Sequence, residues 1–154
     1  MKPFLAILLS STVASISTLS AQSKPEMVRL GEIETVKLPG MKYDLQCQFE
    51  SCTVNITTDK GSQVLLVYIG PTNMFANKSE SRHHPISKSM QNNLPVENCS
   101  WKTPKQHHRI FEMKLPNSSG YVFTQYTLPI STDTTLQDKL IDSIRYIPKT
   151  KNGL

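Results

Sequence analysis

From Glu32 onward the chain is written in short runs of alternating apolar and polar residues. Glu32 to Leu38 (E-I-E-T-V-K-L) alternates once and stops at Pro39-Gly40, a turn signal. Tyr43, Leu45, Cys47 and Phe49 then alternate with Asp44, Gln46 and Gln48, and Cys52, Val54 and Ile56 with Thr53, Asn55 and Thr57. A period of two collects one set of side chains on one face, so these runs predict an antiparallel hairpin with an apolar side. Val64 to Ile69 (V-L-L-V-Y-I) is continuously apolar and ends at Gly70-Pro71, which predicts a strand buried on both faces.

Periodicity lapses from Gly70 to about Pro104, where Asn, Ser, Pro, Lys and His dominate; residues 70–105 read as a long loop. It returns with Phe111, Met113 and Leu115, the turn Pro116 to Gly120, and the aromatic run Tyr121 to Leu128, a second hairpin. Leu136, Leu140, Ile141, Ile144 and Ile147 recur at the spacing of one helix face, Thr134 and Gln137 suit a capping box, and Pro148 ends the run. The fold class predicted is α+β: an antiparallel sheet of about five strands, a C-terminal amphipathic helix on one face, and a long loop insertion after the third strand. Residues 22–148 form the single domain and 149–154 a flexible tail.

The first residues change the picture. Met1-Lys2, an apolar stretch from Phe4 and small residues at Thr18, Ser20 and Ala21 have the layout of a secretory signal peptide over residues 1–21, cleaved near Ser20 or Ala21. The segment is too short and too rich in Ser and Thr for an anchor, which takes about 20 strongly apolar residues, and no transmembrane segment is expected in the mature chain. The expected location is the periplasm or the extracellular space. There a disulfide is expected among the three cysteines. Pairing Cys47 with Cys52 across the first hairpin through a four-residue loop brings their Cβ atoms within reach; a two-residue loop at Glu50-Ser51 does not. A bridge from Cys99 to either is the rival.

Charge sharpens the reading of the loop. Between Gly70 and Ile110 stand Lys78, Arg82, Lys88, Lys102, Lys105 and Arg109 against Glu80 and Glu97, an excess of +4 that equals that of the whole mature chain. All four histidines, His83, His84, His107 and His108, lie there too. As metal ligands they lack a zinc-type spacing, and adjacent residues on a strand point to opposite faces. Cys99 or a serine as a nucleophile lacks any surrounding catalytic motif. Catalytic residues, cofactor and metal are therefore all expected to be none. Nucleic acid is disfavoured by the modest charge and low aromatic content. Four N-x-S/T sequences, at Asn55, Asn77, Asn98 and Asn117, fall in expected loops or outward strand positions.

The functional expectation is an exported, non-catalytic binding protein whose basic loop docks on an acidic protein partner, most concretely an immunity protein that occludes a toxin. Arg82, Lys88, Trp101, Lys102, Lys105 and Arg109 are the expected contact residues. If the histidines are exposed, protonation near the ordinary imidazole pKa of about 6.5 would tighten that contact. The alternative is a small secreted enzyme or metal binder using His84, Cys99 and His107 or His108.

Overall fold

The computed structural model describes residues 24–75, 83–116 and 120–148. The described chain is mostly β: ten strands and one short helix. The strands are β1 (Met27–Leu30), β2 (Ile33–Val36), β3 (Met41–Gln48), β4 (Ser51–Thr58), β5 (Gln63–Gly70), β6 (Ser87–Gln91), β7 (Leu94–Lys102), β8 (Gln106–Lys114), β9 (Tyr121–Pro129) and β10 (Arg145–Tyr146). The helix α1 is Thr135–Asp142. A seven-stranded antiparallel sheet runs β3-β4-β5-β9-β8-β7-β6, and a three-stranded sheet runs β1-β2-β10.

This overturns the five-strand α+β expectation, for three physical reasons. Residues ahead of Glu32, for which the pattern predicts no element, pair as β1 on β2, Met27 facing Val36 through Leu30 facing Ile33. The supposed loop contains a hairpin, β6 on β7, that lengthens the main sheet. Its turn is Asn92-Asn93, both at positive φ, a conformation that Asn tolerates and hairpins favour. Finally, the helix is only eight residues long and stops at Ser143, and Arg145 and Tyr146 then pair with Glu34 and Ile33. Ile144 therefore serves a strand approach rather than another helical turn. The expected capping box is also absent. Thr134 Oγ1 donates to Asp138 Oδ2, and Asp133 Oδ1 takes the first free amide, that of Thr135.

The first hairpin forms in the register that pairs Cys47 with Cys52, and the disulfide is present. Strand pairing continues one step further, Gln48 facing Ser51, so the turn is the two residues Phe49 and Glu50. Phe49 leaves the apolar face it was expected to join.

The main core lies between the inner face of the large sheet and a cover made by α1 and the small sheet. Val54, Ile56, Leu65, Val67, Val96, Phe111, Met113 and Val122 meet Ile33, Leu140, Ile141 and Ile144 there. A smaller cluster occupies the outer face, where Phe75 covers Cys99, Ile110 and Phe123. The strand buried on both faces is thus β8, with Ile110, Phe111, Glu112 and Met113 all buried. The apolar run Val64 to Ile69 is an inner strand between β4 and β9, yet Leu66 on its outer face is 45% exposed. Among the described residues no helix is long and apolar enough to cross a membrane.

Candidate functional site

Alternation along β7 and β8 sets the site. Asn98, Ser100 and Lys102 share the inner face of β7, opposite Phe111, Arg109 and His107 of β8. At this end of the sheet the helix leaves the strands partly uncovered, and an open groove of about 560 Å³ remains. Its lining includes Asn98, Ser100, Lys102, His107, Arg109 and Tyr126, and across from them Thr134, Asp138 and Asp142 of the helix region.

Arg109 forms the floor. Its Nη1 donates to Asp138 Oδ1 at 2.6 Å and its Nη2 to Asp142 Oδ1 at 2.7 Å, while Nε and Nη2 both reach Asn98 Oδ1 at 3.3 Å. Asp138 also accepts from Tyr126 Oη and Thr134 Oγ1. Burial works to raise the Asp138 pKa, but the hydrogen bonds from Arg109, Thr134 and Tyr126 and the Arg109 charge outweigh it and hold the carboxyl below its ordinary value. Tyr126 is pushed up, mainly by burial.

The outer face of the same strands carries an aromatic stack. Trp101 lies between two imidazoles, with its centroid 4.5 Å from His84 and 4.7 Å from His108, and its plane is 13° and 1° from theirs. His108 faces Trp101 across the ladder and its Nδ1 meets Thr127 Oγ1 at 3.1 Å. His107, on the other face, meets the Ile130 carbonyl through Nε2 at 3.0 Å.

These placements divide the six expected contact residues. Lys102 and Lys105 are exposed around the β7–β8 turn. Trp101 is half-buried in its stack. Arg109 is paired with two helix carboxylates, Asp138 and Asp142. Lys88 lies away from them at the sheet edge, held by Glu97 at 2.9 Å. Arg82 lies outside the described residues. Of the four histidines His83 is exposed and the other three are half-buried, His84 and His108 against Trp101 and His107 at the Ile130 carbonyl.

The metal or nucleophile set His84, Cys99, His107 and His108 is not brought together. The indole separates His84 from His108, His107 is on the opposite face, and Cys99 is buried beneath Phe75 and Ile110. Burial raises the Cys99 thiol pKa, which suits an inert packing residue. Among the described residues no cluster of three potential metal ligands occurs. Asn98 is committed to Arg109 rather than outward-facing, and Asn77 and Asn117 lie outside the described residues.

Sequence reasoning missed Asp138, Asp142, Tyr126 and Thr134. The helical spacing from Asp138 to Asp142 is legible, since residues four apart share a face, but its link to Arg109 is not. Fold and site together define a two-sheet β protein with a polar groove at one end of its larger sheet. No family model matches the chain, and no curated protein matches it.

Proposed function

We propose that this chain is an exported, non-catalytic binding protein that engages an acidic protein partner at the β7–β8 end of its large sheet. The observation that supports the reading is the row Asn98, Ser100, Lys102 along one strand face, beside His107, at the mouth of an open groove. Strand positions hold these groups in fixed spacing, so little side-chain order is lost when a partner docks. The side chains of Ser100 and Lys102 make no hydrogen bond among the described residues, which leaves a hydroxyl and an ammonium for a partner carboxylate. Lys105 adds charge at the adjoining turn.

Neutralisation of a toxin is the concrete form we favour. Export by a signal peptide, a small rigid β scaffold and a charge-biased contact surface suit a protein that must meet its target outside the cytoplasm. Electrostatic contact of this kind speeds association and weakens with salt. The test is capture of the partner from the producing cell's envelope at low and high salt, by wild type and by Lys102→Glu with Lys105→Glu. Loss of capture in the variant and at high salt is expected; equal capture by both proteins overturns the proposal.

A further inference from the structure

The opposite end of the same sheet carries a second feature, unrelated to the basic groove. Phe49 stands at the tip of the β3–β4 hairpin with a relative exposure of 107%, so no neighbour shields its ring. Its φ is +53°, in the left-handed region, where a Cβ and a bulky side chain are disfavoured. Elsewhere this chain meets the same demand with Asn92 and Asn93, or with glycine. The ring contributes nothing to either apolar cluster. Directly below it, the Cys47–Cys52 disulfide ties the two strands one pair from the turn.

We infer that Phe49 is a preorganised plug that enters an apolar pocket on a protein partner whose pocket rim is basic. The disulfide and the strand ladder fix the tip, so inserting the ring costs little conformational freedom. A buried aromatic anchor of this kind is the usual centre of a protein contact. The rim chemistry follows from the charge at the tip: Glu50 shares the two-residue turn with Phe49, and the hairpin Met41–Thr58 carries Asp44 and Glu50 against Lys42, which sits at the far end of β3. That charge also repels an anionic lipid surface, which argues against membrane insertion.

The experiment places photoreactive benzoyl-phenylalanine at position 49 of the full chain in the producing cell, with position 60, the tip of the next turn, as control. Position 49 should cross-link to one protein, at a pocket of apolar residues edged by Lys or Arg, and position 60 should not. The purified partner should then bind Phe49→Asn about tenfold more weakly than wild type. Asn accepts the left-handed backbone, so this variant should keep or raise the thermal midpoint, and misfolding cannot account for the loss. Glu50→Lys should weaken binding as well. Cross-links only to lipid, only to a second copy, or to nothing overturn the inference, as does undiminished binding by Phe49→Asn.

Discussion

Arg109 Nη1 and Asp138 Oδ1 are 2.6 Å apart although 29 residues separate them in the chain, and the contact fastens the helix to the large sheet. The guanidinium side chain is 13% exposed, against 34% for Asp138 and 64% for Asp142. An exposed ion pair contributes about 0–1 kcal/mol, whereas breaking a buried one costs about 3–5 kcal/mol. Arg109→Met leaves two carboxylates facing each other without their cation and should cost about 2 kcal/mol in urea unfolding. Asp142→Asn, at the solvated end, should cost under about 1 kcal/mol.

Two carboxylates should shape the acid limb of the stability curve in opposite directions. The Asp138 pKa is lowered on folding, so its contribution is complete above the ordinary Asp value and is lost as pH falls through the lower folded value. Glu112 is 4% exposed, and its pKa is raised, first by burial and also by Glu97; the amides of Phe75 and Met74 oppose this. The folded state therefore holds the Glu112 proton more tightly than the unfolded chain. That stabilisation is full below the ordinary Glu pKa and is lost as pH rises through the raised value. Glu112→Gln keeps an oxygen for the Phe75 amide, which donates to Oε2 at 2.9 Å, without a buried charge. Its thermal midpoint should exceed that of wild type at neutral pH, and the gap should shrink as pH falls through the raised value and stay small below the ordinary Glu pKa.

Cys99 is the free cysteine among the described residues, and it is buried. Burial keeps its thiol protonated and out of reach. A colorimetric thiol reagent at mildly basic pH should find no fast-reacting group in the folded protein and one per chain in denaturant. Fast labelling of the folded protein would contradict the packing beneath Phe75.

Gly120 has φ +116°, and a Cβ built there would collide with the Gly70 carbonyl. Both the conformation and the close backbone approach demand glycine. Gly120→Ala should therefore destabilise by about 2–3 kcal/mol and open the β5–β9 pairing, which thermal unfolding and amide exchange on Gly70 would register.

How much of this was legible follows the same physics. The β3–β4 hairpin and its Cys47–Cys52 bridge showed in the period of two, because Tyr43, Leu45 and Cys47 face Ile56, Val54 and Cys52; the β8–β9 hairpin showed through Phe111 and Met113 and the aromatic run that pairs with them. The β6–β7 hairpin did not. Ser87 to Gln91 is a polar edge strand, and β7 turns Asn98, Ser100 and Lys102 toward a polar groove, so neither has a clean apolar face. The Asn92-Asn93 dipeptide was the available signal. Arg109 read as a free cation because its acceptors lie 29 and 33 residues away. Leu136 to Ile147 suits a single helix by spacing, yet Arg145 and Tyr146 are taken by β2, a tertiary demand that local pattern does not contain.

The small sheet joins both ends of the described chain. Thr35 Oγ1 bonds the Leu140 carbonyl and meets Ser143 Oγ, the Val36 amide also bonds Ser143 Oγ, and the Ile147 amide bonds the Glu32 carbonyl. On the ribosome β1 and β2 therefore remain half of a layer until α1 and β10 have been delivered, so this part of the fold closes through contacts of long sequence separation.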